Sequence, residues 1–358
     1  MKVGIVGLPN AGKSTLFNAL TKGGAQTGDY PFTTIEPNVA IAAVHDERLE
    51  RVGETVGSSE LVPATISFHD IAGLVKGASE GEGLGNQFLA SIRETDAICH
   101  VVRCHGLDTG VPHPDGRVDP LADIETIETE LVLADYEQAE RRLDRVRKGA
   151  KSGDAEAIAE RDWLERVVEA LAAGRPARSV PVPDAAAHGP ANLQALTSKP
   201  VLYVANVDEG DAEAPEALVA HAAAVGAGVV AVSARIEGEL AELDPAEAEE
   251  MRESYGVEGS GLARLVRAAY DLLELITFFT AGEDKEAVAR PLRRGASAWE
   301  AAGTIHTEIQ DAFVKAEAIG WRELVECGGY APARDRGLLR IEGRDYVVAD
   351  GDVITIKV

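Results

Sequence analysis

The stretch Gly7-Leu8-Pro9-Asn10-Ala11-Gly12-Lys13-Ser14 constrains this chain more than any other. It matches the phosphate loop G-x-x-x-x-G-K-S and lies where that motif belongs, between an apolar run at 3–6 and a helical pattern at 14–20. Its glycines let backbone N–H groups curl around phosphates, Lys13 reaches the terminal phosphates, and the Ser14 hydroxyl ligates magnesium. Asn10, Ala11, Gly12, Lys13, Ser14 and Thr15 are therefore the expected phosphate-binding residues, with Lys13 also a catalytic candidate. The alternative is a chance glycine-rich turn, which the flanking strand and helix disfavour.

A phosphate loop needs a sheet behind it. Short apolar or alternating runs at 39–44, 65–68, 97–102, 201–205 and 229–232 read as further strands, several followed by helical patterns. The expected class is α/β, a mostly parallel sheet covered on both faces, with ligands at the carboxyl ends of the strands. Nearly a hundred residues separate the fourth and fifth strands, far more than a crossover needs. Within that excess, Asp119-Pro120 caps a helix with apolar residues at Ile124, Ile127, Leu131 and Ala134, and the stripe shifts to Tyr136, Ala139, Leu143 and Val146 before Gly149 breaks it. Asp154 opens a second helix carrying Ile158, Leu164, Val168 and Leu171 and ended by Gly174, so the insertion reads as an antiparallel helical hairpin. From about Phe279 a small α+β domain is expected: a helical patch after Ser297, then strands at 338–341, 346–348 and 353–357. The expected domains are 1–118 with 196–278, then 119–195, then 279–358, in keeping with a chain of 358 residues.

Lys and Arg number 35 against 60 Asp and Glu, a net charge of -25. Overall charge thus argues against nonspecific adhesion to nucleic acid, and any such contact needs a local basic patch. One candidate is Arg141, Arg142, Arg145, Arg147, Lys148 and Lys151 near the hairpin tip, readable as an RNA contact or as cations set against a helix dipole. Three unpaired cysteines and the lack of a leader or of a long apolar run point to a soluble, cytoplasmic protein without a membrane partner.

Asp70-Ile71-Ala72-Gly73 closes the third strand, where Asp70 would hold magnesium through water and the Gly73 N–H would sense a γ-phosphate. Gly77, Gly81, Gly83 and Gly85 then punctuate a loop that reads as a switch. Leu74 follows Gly73, and leucine cannot position water by hydrogen bonding, so hydrolysis is very slow or another group does the positioning. After the fifth strand, Asn206-Val207-Asp208-Glu209 takes the place of an Asn-Lys-X-Asp base-reading loop. Guanine offers two donors to such an aspartate, whereas adenine offers an acceptor at that edge, and here the carboxylates sit at altered positions. Ser233-Ala234-Arg235 reads as the remaining base-side loop or as a simple strand end.

Gly7 to Ser14, the run Asp29-Tyr30-Pro31-Phe32-Thr33-Thr34-Ile35-Glu36-Pro37-Asn38, and Asp70-Ile71-Ala72-Gly73-Leu74-Val75-Lys76-Gly77 occur here in order. With them the chain resembles the Obg-like ATPases, in their bacterial YchF branch, over essentially its whole length. The resemblance extends to the helical insertion, the Asn-X-X-Glu base loop and a C-terminal TGS domain of ubiquitin-like (β-grasp) fold, matched by Gly303-Thr304-Ile305-His306-Thr307 and Asp350-Gly351-Asp352-Val353. It implies ATP preferred over GTP, held at Asn206, Val207, Glu209, Ser233 and Ala234. It implies Thr34, rather than Thr33, as a magnesium ligand beside Ser14, and Asn10 as helper of a potassium ion or as a stabiliser of the loop. It also implies a histidine in the loop after the fourth strand as the replacement for glutamine, matched here by His113, although the preceding His105-Gly106-Leu107-Asp108-Thr109-Gly110 departs from the family pattern. Ribosomes or ribosomal RNA are the implied partner, and a monomer is expected. Three readings stay open at this point: a slow ATPase switch, a nucleotide-gated adaptor with incidental hydrolysis, and a guanine-specific GTPase.

Overall fold

The computed structural model describes residues 1–26, 38–71, 84–106, 118–151, 153–211, 213–255 and 259–358. The chain divides into two compact units, one of residues 1–40 with 67–269 and the other of 41–66 with 270–358.

The first unit is built on strands β1 (Lys2–Val6), β4 (Ala64–Asp70), β5 (Ala97–Arg103), β6 (Val201–Asn206) and β7 (Gly228–Val232). Together with β2 (Val39–Val44), they form a sheet in the order β2-β4-β1-β5-β6-β7. Pairing is parallel from β4 across to β7. Every residue of β5 is buried, as expected of a central parallel strand covered on both faces. The chain runs to one side of β1 for β4 and to the other for β5, so strand order reverses beside β1. That reversal opens a crevice at the carboxyl end of β1, where helix α1 (Lys13–Gln26) follows the phosphate loop.

Helix α2 (Glu47–Val56) and strand β3 (Glu60–Val62) lie in the sequence between β2 and β4, and helix α3 (Leu84–Arg93) precedes β5. Gly85 therefore begins a helix instead of punctuating a loop; Phe88, Leu89 and Ile92, spaced for one helical face, are buried and drive that outcome. Helix α4 (Pro120–Ala150) runs unbroken through the change of apolar stripe, because its first half buries Ile127, Leu131 and Ala134 against the sheet. Its second half buries Ala139, Leu143 and Val146 against Trp163, Leu164 and Val167 of α5 (Ala155–Ala172). Asp119 and Asp154 accept the N–H groups of Ala122 and Glu156, each cap contributing ~1 kcal/mol. At the root of the hairpin the fully buried Asp135 carboxylate accepts the N–H groups of Leu196 (2.9 Å) and Thr197 (2.7 Å) and the Thr197 hydroxyl (2.6 Å).

The second unit carries a mixed sheet in the order β11-β10-β12-β8-β9-β3. Its further strands are β8 (Leu275–Thr280), β9 (Glu286–Arg293), β10 (Lys315–Gly320), β11 (Arg340–Glu342) and β12 (Asp352–Lys357). An antiparallel β8–β9 hairpin, the helix Ala298–Ile305 and a last strand returning parallel to the first make the expected β-grasp arrangement. Ser297 opens that helix with a capping box to Glu300. Residues 346–348 are not a strand; Val347 makes an isolated bridge to Ser297.

Candidate functional site

Thirteen residues surround a cleft of about 760 Å³ at the carboxyl ends of the first unit's strands. Of the expected site, Asn10, Gly12, Lys13, Ser14, Thr15, Asn206, Val207, Glu209, Ser233 and Ala234 all line it. Ala11 is buried directly beneath, its carbonyl turned to Asn206. Gly73, Thr34 and His113 lie outside the described residues.

The phosphate loop leaves the end of β1 with Gly7 at φ 157° and Gly12 at φ 95°. A Cβ at Gly7 would lie 2.4 Å from the Val101 carbonyl oxygen, and one at Gly12 would lie 2.1 Å from the Asn206 amide nitrogen. Only glycine fits either position. Asn206 is the brace of the whole cleft: its Nδ2 donates to the Ala11 carbonyl at 3.0 Å, and its Oδ1 accepts the Ala234 N–H at 3.0 Å. One buried amide thus joins the phosphate loop to the loop after β7. Val207, 4% exposed, packs among Val102, Tyr203 and Leu218, so apolar contact anchors the base loop from behind.

Lys13 is buried, its Nζ donating to the Leu8 carbonyl at 2.8 Å. Burial lowers its pKa, and the charge of Asp70 opposes that shift in part. Burial raises Asp70 in turn, with Lys13 holding it down. An ammonium that burial disfavours, beside a carboxylate that it also disfavours, is suited to a ligand bringing phosphate anions and a hard cation together. The donor set fits magnesium: the exposed Ser14 hydroxyl and the half-buried Asp70 carboxylate are hard oxygen ligands. Among the described residues no three His, Cys, Asp or Glu side chains converge on a metal position.

Both carboxylates of the base loop are engaged within the protein. Asp208 accepts the Gly106 N–H at 3.1 Å, tying the base loop to the segment after β5, and Glu209 pairs with Arg235 at 2.9 Å. Asp208, Arg235 and His105 also line the cleft. The His105 backbone is held by the buried Arg103, whose Nε donates to the His105 carbonyl at 3.3 Å. Burial first, and then the charge of Arg103, lowers the His105 pKa, which favours the neutral imidazole. Sequence reasoning left His105 out of the site, although its place two residues past the end of a central strand is the signal that would have found it.

At the hairpin tip, Arg142 pairs with Glu160 (2.8 Å), Arg147 with Glu165 (3.1 Å) and Arg141 with Glu137 (3.4 Å). Arg145, Lys148 and Lys151 are exposed and paired with no described acidic group. No helix among the described residues is long and apolar enough to cross a membrane.

Comparison with known proteins gives this geometry its relatives. The chain is 48% identical, over all of its own length and 99% of the other, to a protein of Bacillus subtilis named Ribosome-binding ATPase YchF. The chain belongs to the YchF family. Another YchF protein with the same name, from Haemophilus influenzae, is also 48% identical over 99% of this chain and 98% of its own. The solved structure of the Schizosaccharomyces pombe YchF GTPase superposes with a TM-score of 0.88 at 35% identity, covering 100% of this chain and 97% of that one. A family model described as 50S ribosome-binding GTPase matches residues 2–138, and the YchF-GTPase_C model, described as a protein of unknown function, matches residues 275–358.

Proposed function

We propose that this chain is a slow, magnesium-dependent nucleoside triphosphatase that takes ATP in preference to GTP and acts as a switch on the ribosome. The observation that carries the base preference is the diversion of both loop carboxylates: Asp208 is turned to Gly106 and Glu209 to Arg235. Neither is then held for the paired donors of guanine, and a cleft without that pair tolerates adenine. The names of the YchF relatives support ATP hydrolysis and ribosome binding.

In this reading the backbone N–H groups of the phosphate loop and Lys13 hold the β- and γ-phosphates, and the Lys13 charge opposes the charge that develops between them. Ser14, Thr34 and, through water, Asp70 hold magnesium, which when bound neutralises phosphate charge. The Asn10 side-chain oxygen helps to hold potassium. The Gly73 N–H senses the γ-phosphate. His113 does what Leu74 cannot: its neutral imidazole orients or deprotonates the attacking water. The domains are 1–118 with 196–278 for the nucleotide, 119–195 for the hairpin and 279–358 for a TGS domain; the exposed Arg145, Lys148 and Lys151 give the hairpin a local attraction for ribosomal RNA. The protein works in the cytoplasm as a monomer.

The test is a binding titration of nucleotide-free protein with non-hydrolysable ATP and GTP analogues, with magnesium and potassium present. Tighter ATP binding is the expected result. A strong GTP preference would mean that Asp208 or Glu209 swings back to pair with guanine, and would reassign the chain to guanine-specific hydrolysis.

A further inference from the structure

Where α4 packs against β5, the first unit contains a second cavity, of about 370 Å³, that shares no lining residue with the nucleotide cleft. That volume is within the range of small-molecule sites. Its walls are mainly apolar, with Ile98, Ile127, Leu131, Val132, Leu171 and Val201 among them. Thr129 and Leu133 are exposed at its rim, and Leu133, 44% exposed, is among the large apolar side chains left in solvent.

Six polar side chains border this space, Glu125, Thr129 and Thr197 among them, and the other three differ in what they still lack. Glu128 already accepts the Tyr203 hydroxyl at 2.6 Å. Arg178 spends one nitrogen on the Thr197 carbonyl at 3.1 Å, and the rest of its guanidinium meets no carboxylate among the described residues. His100 is 2% exposed, and its Nε2 has no hydrogen-bond partner among the described residues. Burial holds that imidazole neutral, pulling its pKa down to about 3. A buried polar atom without a partner beside an apolar cavity calls for an occupant that supplies one.

We propose that this cavity is a second ligand site, for a small amphipathic molecule with one anionic head group and an apolar body that carries one hydrogen-bonding group, the body lying against Ile127 and Leu131 with that group at His100 and the head on Arg178. Arginine takes the head because its planar fork has donors to spare, whereas the carboxylates of Glu125 and Glu128 would repel an anion and keep the head at the Arg178 end. His100 lies in parallel register with Val6, the residue that precedes Gly7. The occupant therefore bears on the strand next to the one that carries the phosphate loop.

Two fluorescent probes with a common body test this on the full chain: anilinonaphthalene sulfonate and its uncharged parent, phenylnaphthylamine. The expected result is saturable binding of one sulfonate probe per chain, weakened about tenfold by Arg178→Met, which leaves the uncharged probe unaffected. Thr129→Trp, a substitution at an exposed position, should close the rim and abolish binding of both probes, with the thermal unfolding curve unchanged. Absence of saturable binding, or titrations that Thr129→Trp does not alter, would overturn the site. Equal weakening of both probes by Arg178→Met would overturn the assignment of an anionic head group.

Discussion

Replacing Asn206 with alanine tests whether one amide holds the cleft together. The change removes two hydrogen bonds of 3.0 Å and leaves the Ala11 carbonyl and the Ala234 N–H without their partner. Each bond is worth ~0.5–1.5 kcal/mol net, and an orphaned buried group costs ~1–3 kcal/mol. Water entering from the open cleft recovers part of that cost, so a total of roughly 2–3 kcal/mol is expected. If the loss fell wholly on binding, ATP affinity would drop roughly 30- to 150-fold. If it fell on the fold, the midpoint of thermal unfolding would drop about 2–4 °C per kcal/mol for a unit of this size. Both are measured on one preparation, by calorimetric titration and by thermal unfolding without nucleotide. Because the brace positions the phosphate loop, ATP and GTP should lose affinity equally. An unfolding midpoint within about 1 °C of the parent together with unchanged ATP affinity would refute the bracing argument.

Asp70→Asn should stabilise the nucleotide-free protein while weakening magnesium-dependent ATP binding. Burial raises the Asp70 pKa, so the penalty is absent below the ordinary carboxylate pKa and grows as pH rises through the raised value. At neutral pH the gain should stay below about 1 kcal/mol, since the group is only half buried and solvent screens it; a destabilised variant would contradict the sign. His100 runs the other way: its pKa falls from 6.5 to about 3, so the unfolded chain takes up the proton first and stability drains away as pH falls from 6.5. Urea unfolding should lose about 2 kcal/mol between ~pH 7.5 and ~pH 5 from this group, a slope that His100→Phe should remove. His113→Ala should cut ATP turnover by ~10²–10⁴-fold at constant affinity, and unchanged single-turnover rates would eliminate the histidine mechanism.

The phosphate loop was legible because its chemistry is local: eight consecutive residues carry both the shape and the donors. The parallel strands were legible as apolar runs for a related reason, since a strand buried on both faces needs nothing but apolar side chains. The second unit was harder. Lys315-Ala316-Glu317-Ala318-Ile319-Gly320 forms β10 with few β-branched residues, held by antiparallel partners on both sides, and Pro291 interrupts the reading of β9. Tyr346 and Val348 look strand-like but serve the core as loop residues, with the Tyr346 hydroxyl donating to Asp352 at 2.7 Å. His105 was hidden because its place depends on the local hold of Arg103 on its carbonyl and on the Asp208–Gly106 hydrogen bond, a contact that joins segments about a hundred residues apart.

Helix α4 is a single rod of 31 residues, about 46 Å long at 1.5 Å per residue. Asp135, tied to Leu196 and Thr197 midway along it, acts as a fulcrum. Fifteen residues beyond that point make an arm of about 22 Å, so a tilt of only ~10° there would sweep the basic tip through about 4 Å. The root of the same rod follows directly on the segment that contains His113. A small angular change at that fulcrum would thus become, at Arg145 and Lys148, a displacement of about 3 Å, comparable to the length of a salt bridge.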